Sequence, residues 1–150
     1  MRRLTLIVIL LITHFLQFSC SEENQEPISA LCDHLVIVDS NIFQNRSDDD
    51  GTGRNAFEII NAEINNDCLS LTIQSGGCNN GTWHLDLVDA DRVAETAIPQ
   101  RDLKVFLDNT ELCNALTTMT ISFELTPLRI NDKLIILNLE KWGEQLEYRY

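Results

Sequence analysis

Basic residues are scarce in this sequence. It holds 11 Lys and Arg against 23 Asp and Glu, a formal charge of −12 at pH 7. If residues 1–19 are removed, Arg2 and Arg3 leave with them, and the remaining 9 basic and 23 acidic residues give a charge of −14. Nucleic acids and anionic lipid surfaces attract a basic face, so this composition argues against both as partners. The usual consequence of such a charge is solubility.

The sequence also lacks the short spacings that mark metal and catalytic sites. It has no CxxC pair and no closely spaced cluster of Cys and His, so we expect no zinc site. No nucleophile motif accompanies His34 or His84. The carboxylates of Asp86, Asp89 and Asp91 are expected in an acidic strand end and loop rather than in a hydrolytic pair. We therefore predict no cofactor and no enzymatic activity.

One acidic run suggests calcium. If Gly51 is the sixth residue of an EF-hand loop, Arg46 is the first residue and Phe57 the twelfth. Both of these positions require an acidic residue, so the EF-hand motif is not met. Asp48 and Asp50 are weak candidates for a different kind of calcium loop. The alternative is a solvated loop with a tight glycine turn.

An apolar run opens the chain. Arg2 and Arg3 precede the run Leu4–Phe18, which is about 15 residues long, whereas a membrane-spanning helix needs about 20. The polar run Ser21–Pro27 follows at once. This order of charge, apolar core and polar flank predicts a cleaved signal peptide over residues 1–19.

The cleavage region resembles the lipobox of bacterial lipoproteins. Ser19 is the small residue before Cys20, and Gln17 stands where Leu is usual. The following acidic stretch makes it similar to Bacteroidetes-type lipoproteins, which have a loose lipobox. The resemblance covers about 20 residues and implies an outer-membrane lipoprotein, held at the membrane through lipid on Cys20 and displayed on the cell surface. Cleavage after Ser21 is the alternative, and it would release a free secreted or periplasmic protein.

The rest of the chain divides into a tether and a domain. Residues 20–30 contain Pro27, three glutamates and little apolar surface, so they are expected to form a solvated tether. The length of residues 31–150 predicts a single domain.

Nearly every segment after Ala30 alternates between apolar and polar residues with a period of two, as half-buried strands do. The alternation slips at Ile59–Ile60, which suggests a β-bulge. Residues 108–116 suggest a short helical turn capped by Asp108 or Asn109. The pattern predicts an all-β, antiparallel β-sandwich, Ig-like in the broad sense, with an up-and-down barrel as the alternative. Seven or eight strands are expected, near residues 35–39, 57–64, 69–74, 82–89, 101–107, 118–125, 134–139 and 146–150.

Four cysteines in an exported domain predict two disulfides, with three possible pairings. Cys68 and Cys78 flank a strand about 23 Å long, so they are too far apart to pair. Antiparallel pairing of 82–89 with 101–107 would bring Cys113 to Cys78. Antiparallel pairing of 35–39 with 57–64 would bring Cys32 to Cys68. Cys32–Cys68 and Cys78–Cys113 are therefore favoured.

The aromatic residues offer weak binding candidates. Trp83 is in phase with Leu85 and Leu87 and is expected in the core, whereas Trp142 and Tyr148 are candidate ligand contacts. We predict a non-enzymatic envelope or surface lipoprotein with an interaction or structural role toward a protein or glycan. The alternative is a small carbohydrate- or peptide-binding module. A flat polar surface would favour the first, and an exposed aromatic platform or a concave face would favour the second.

Overall fold

The computed structural model describes residues 32–47 and 51–150. The predicted signal peptide, the lipidation site Cys20 and the acidic tether lie outside the described residues. So do Asp48 and Asp50, the weak calcium candidates.

Two β-sheets make up almost all of the regular secondary structure in the described residues. The four-stranded sheet has the order β1-β7-β4-β3, and the five-stranded sheet has the order β2-β5-β6-β8-β9. The sheets are separate, so the barrel alternative is wrong and the all-β sandwich is confirmed. The elements are β1 (His34–Leu35), β2 (Ile37–Val38), α1 (Ser40–Asn45), β3 (Phe57–Asn65), β4 (Cys68–Gly77), β5 (His84–Ala94), β6 (Gln100–Asp108), β7 (Ala115–Glu124), a 3-10 helix (Thr126–Leu128), β8 (Leu134–Leu139) and β9 (Leu146–Arg149).

The core lies between the two sheets, where the sequence alternation predicts it. Leu71 and Ile73 of the four-stranded sheet and Leu87 of the five-stranded sheet are fully buried in one apolar cluster. Trp83 is 7% exposed and belongs to the same cluster, as expected. Burial of these side chains drives the two sheets together, at roughly 25 cal/mol for each Å² of apolar surface removed from water.

The sheets are mixed rather than purely antiparallel. The pairs β1–β7, β2–β5 and β6–β8 run parallel. The predicted strand 35–39 is divided, because the chain crosses between the sheets at the buried residue Val36. Its two halves join different sheets, so the expected antiparallel pairing of 35–39 with 57–64 is wrong.

Both predicted disulfides are present. Cys78 and Cys113 meet because β5 and β6 pair antiparallel, as expected. Cys32 and Cys68 meet for a different reason from the predicted one. β7 pairs on one side with β1 and on the other with the first residues of β4, which brings the two cysteines to a Cα separation of 5.6 Å.

Local geometry confirms some turn predictions and corrects others. The register of β3 against β4 shifts between Ile59 and Asn61, as the broken alternation predicts. The expected helical turn over 108–116 is absent, since β6 ends at Asp108, the segment 109–114 has no regular secondary structure, and β7 begins at Ala115. The helix α1 was not predicted. Asp39 caps it, because its carboxylate accepts from the backbone N–H groups of the first turn.

No helix within residues 32–47 or 51–150 is long and apolar enough to cross a membrane.

Candidate interaction surface

The outer face of the four-stranded sheet carries a regular grid of polar side chains. Three rows run across β4 and β7, pairing Ser70 with Ser122, Thr72 with Thr120, and Gln74 with Thr118. β3 extends the rows with acidic and amide side chains. We call this surface the polar face, and its members are Glu58, Asn61, Glu63, Ser70, Thr72, Gln74, Thr118, Thr120 and Ser122.

The bulge in β3 keeps the grid in register. Ile59 points inward opposite Ile73, and the extra residue Ile60 is exposed. The shift places Asn61 opposite Thr72, so polar side chains continue on the outer face after the bulge. Without the extra residue, the polar side chains of β3 that follow the bulge would point into the core, because side chains alternate between the two faces of a strand.

The middle of the polar face is uncharged. The six positions on β4 and β7 are hydroxyl or amide side chains, and the hydroxyl oxygens of Thr72 and Thr120 are 2.8 Å apart. The acids Glu58 and Glu63 lie on the β3 side. Ser and Thr side chains lose less rotamer entropy than Gln when they are covered, and charged residues are depleted at interface centres. The uncharged centre is therefore better suited to contact with another protein surface than the acidic β3 side.

The neighbouring edge of β7 is partly closed by side chains. Asp33 accepts from both the N–H and the hydroxyl of Ser122, and these hydrogen bonds lower the pKa of the Asp33 carboxyl. The Asn80 side chain donates to the Thr118 carbonyl. Capping of this kind protects an edge strand from pairing with another chain. This edge is therefore less open to contact than the polar face beside it.

One end of the sandwich is held by a buried carboxylate. Glu111 is 8% exposed and accepts from the backbone N–H groups of Cys78, Asn79, Asn80 and Thr82. Burial alone would raise the pKa of the Glu111 carboxyl, but these hydrogen bonds lower it below the ordinary value. The loop from 78 to 82 is thus folded around an internal anion.

Two further residues fix that end. The Asn109 side chain donates to the carbonyls of Arg54 and Gly76, which ties the segment after β6 to the end of β4 and to the chain before β3. Gly77 has no room for a side chain, since a Cβ there would lie 2.5 Å from the Glu111 carboxylate and 3.0 Å from Trp83. The loop, the disulfide Cys78–Cys113 and the carboxylate therefore form one packed unit.

We expect Glu111→Gln to change how stability depends on pH. A carboxyl whose pKa is lowered by folding stabilises the domain above its unfolded pKa, and this stabilisation is lost as the pH falls through the folded value. At pH 7 the variant should be less stable than the parent, and the gap should shrink below about pH 4.5. Urea unfolding from pH 7 to pH 3 measures this, with the exposed Glu95→Gln as the control. A gap that stays constant with pH would contradict the assignment.

Tyr148 corrects the sequence-based expectation of a ligand contact. Its ring is 0% exposed, and its hydroxyl donates to Asp67 at 2.6 Å. Arg129 donates to both groups. Burial, followed by the hydrogen bond to Asp67, raises the pKa of Tyr148 to about 12. The residue joins β9 to the β3–β4 hairpin, and its ring is not available to a ligand.

Trp142, the other aromatic candidate, is half-buried and packs against the core. Its Nε1 is buried and has no hydrogen-bond partner among the described residues. The described aromatic candidates therefore do not form an exposed platform.

An ion pair is buried where an acidic surface loop was expected. Asp89 is 0% exposed, and its Oδ1 accepts from Arg101 at 2.6 Å. The other oxygen, Oδ2, has no partner within residues 32–47 and 51–150. Burial raises the pKa of the Asp89 carboxyl, and the charge of Arg101 opposes that rise. The placement of Asp89 could have been anticipated, since it continues the inward row of Leu85 and Leu87.

No group of three or more His, Cys, Asp or Glu side chains in the described ranges is placed to hold a metal ion.

Sequence comparison assigns no family, because no protein-family model and no curated protein matches this sequence. Among solved structures, the fold is similar to that of a protein of unknown function from Bacteroides vulgatus, with 18% identity and a TM-score of 0.45. It is also similar to a NigD-like immunity protein from Bacteroides caccae, with 12% identity and a TM-score of 0.48. These alignments cover 78% and 75% of this chain but only 54% and 58% of the other two. At these values the similarities assign no function.

Proposed function

We propose that this chain is an exported, lipid-anchored envelope protein whose β-domain acts by protein contact and catalyses no reaction. The observation that carries the proposal is the polar face, whose three cross-strand rows on β4 and β7 are uncharged hydroxyl and amide side chains. These rows can offer many donors and acceptors to a partner, while the charges of Glu58 and Glu63 lie at the β3 side of the face.

The anchoring part of the proposal rests on the sequence. The resemblance of Ser19-Cys20 to a lipobox, and the acidic tether after it, support attachment through lipid on Cys20. Two disulfides are typical of proteins that fold in an oxidising compartment, which agrees with export.

A further property supports a contact role. The sandwich is tied by disulfides between β4 and the chain before β1, and between the loop after β4 and the segment after β6. These links hold the polar face in a fixed shape, so little ordering entropy is lost when a partner binds.

Site-directed photo-crosslinking in living cells tests the contact role. A photoreactive phenylalanine analogue is placed at Thr72 or Thr120, both in the middle row of the polar face. The control position is Glu147, an exposed residue of β9 in the other sheet. We expect an adduct of one defined mass from Thr72 and Thr120, and none of that mass from Glu147.

Two results would contradict the contact role. One is the absence of any defined adduct from either polar-face position at native expression. The other is the same adduct from Glu147, which would indicate contact without a preferred surface.

The carbohydrate- or peptide-binding alternative is not carried forward. It rested on Trp142, Tyr148 or the acidic loop, and burial of the Tyr148 ring removes one of these three supports.

A further inference from the structure

The fold brings the two histidines of the described residues together. His34 is the first residue of β1 in the four-stranded sheet, and His84 is the first residue of β5 in the other sheet. Their ring centroids are 6.3 Å apart and the rings are inclined by 78°. Both residues are exposed. Two imidazoles 50 residues apart in sequence therefore face the same patch of solvent.

Carboxylates make this patch favourable for a cation. Asp86 Oδ1 lies 3.3 Å from His84 Nε2. Arg46 holds the other oxygen of Asp86 at 2.6 Å and also binds Asp108 at 2.8 Å. The two carboxylates and the one guanidinium together give the patch beside the imidazoles a net negative charge. A carboxylate next to a histidine fixes its tautomer and ring orientation in metal sites.

We propose that His34 and His84 form a surface site for a divalent first-row transition-metal ion, with Asp86 as the residue that orients His84. Water would complete the coordination, since the site is open. With Asp86 at Nε2, the nitrogen of His84 left for the metal is Nδ1. Imidazole ligands suit copper, nickel and zinc, and Cu²⁺ should bind most tightly in the usual order of affinities.

The separation of the rings is compatible with a shared ion. Metal–nitrogen bonds of about 2.0–2.1 Å put each centroid about 3.2 Å from the metal, so centroids up to roughly 6.4 Å apart can share it. Neighbouring positions in the square-planar or tetragonal geometry of Cu²⁺ lie about 90° apart, which needs roughly 4.5 Å between the centroids. Rotation of the two side chains can supply the difference of about 2 Å. Neither sheet has to move.

Copper binding to the purified protein tests this site. In a protein that begins at residue 20, His34 and His84 are the only two histidines of the sequence. We expect one equivalent of Cu²⁺ by isothermal titration, with two nitrogen ligands in its electron paramagnetic resonance spectrum. His34→Asn and His84→Asn should each weaken binding at least 10-fold. Asp86→Asn should weaken it by about 10- to 100-fold, the usual effect of losing an orienting carboxylate.

Asp108→Asn is the matched control. It removes the same charge from the same arginine, but its carboxylate pairs with Arg46 rather than with His84, which lies opposite it in the strand register. Cu²⁺ affinity should therefore fall less than in Asp86→Asn, and an equal loss in the two variants would contradict the orienting role of Asp86. Copper-induced broadening of the two histidine ring signals in the unsubstituted domain provides a measurement that does not depend on the variants' folding. Equal affinity in the parent, His34→Asn and His84→Asn would overturn the proposal. So would ring signals that stay sharp at substoichiometric Cu²⁺.

Discussion

Reduction of both disulfides should unfold the domain at room temperature. Cys32–Cys68 and Cys78–Cys113 span 36 and 35 residues. On the chain-entropy model, each link is worth about 4 kcal/mol through restriction of the unfolded chain. A domain of this size has a net stability of about 5–15 kcal/mol, so losing both links removes most or all of it. Urea unfolding with and without dithiothreitol measures the loss.

The two disulfides should differ in their ease of reduction. Cys78 and Cys113 are exposed, whereas Cys32 is 9% exposed. Mild reductant should therefore cut Cys78–Cys113 first, since access limits thiol–disulfide exchange. The paired variants Cys32→Ala/Cys68→Ala and Cys78→Ala/Cys113→Ala isolate each link. An unchanged melting temperature in dithiothreitol, with free thiols confirmed by mass, would contradict the account.

Breaking the buried ion pair should be among the most damaging single changes. Asp89→Asn leaves the Arg101 guanidinium buried with no opposite charge, and such a loss costs about 3–5 kcal/mol. The double change Asp89→Leu/Arg101→Met removes both charges, and with them the cost of taking them out of water. We expect its stability to match or exceed that of the parent, by up to about 4 kcal/mol. Chemical denaturation of all three proteins gives the values.

The control for that comparison is an exposed pair. Arg92 lies 3.3 Å from Asp102, and its side chain is 74% exposed. Arg92→Met should cost less than about 1 kcal/mol, because water screens surface ion pairs. If Asp89→Asn lowers the free energy of unfolding by no more than Arg92→Met does, the ion pair between Asp89 and Arg101 is not buried in solution.

The fold was largely predictable from local alternation. Rows such as Leu69, Leu71 and Ile73 repeat with a period of two, and the side chains that the pattern turns inward are buried. The broken phase at Ile59–Ile60 marked the bulge for the same reason. Strand length and the limited reach of a disulfide bond excluded only Cys68–Cys78. Cys78–Cys113 was then predicted from the pairing of β5 with β6, which is present, and Cys32–Cys68 from a strand pairing that is not.

What the alternation could not give was the pairing between strands. A strand's period does not depend on its neighbour, so nothing in 35–39 showed that its halves join different sheets. The sequence alternation predicted the outward-facing polar residues of β4 and of β7 separately. It did not predict the register between the two strands, which places Thr72 opposite Thr120 and joins the two sets into one surface.

The candidate sites were less predictable than the fold. Glu111, and the meeting of His34 with His84, depend on contacts between residues at least 29 positions apart. Local sequence carries no signal of such contacts. Tyr148 was misassigned because a tyrosine in a terminal strand looks the same whether its hydroxyl meets water or, as here, Asp67.

The intact mass of the protein from its native membrane fraction tests the central claim most directly. The account predicts a mass of residues 20–150 plus acyl chains on Cys20, less about 4 Da for the hydrogens lost in two disulfides. That result would place an anchored, oxidised domain at the envelope. A soluble, unlipidated species beginning at Glu22 would contradict the anchor, and a mass with four free thiols would contradict the oxidised framework.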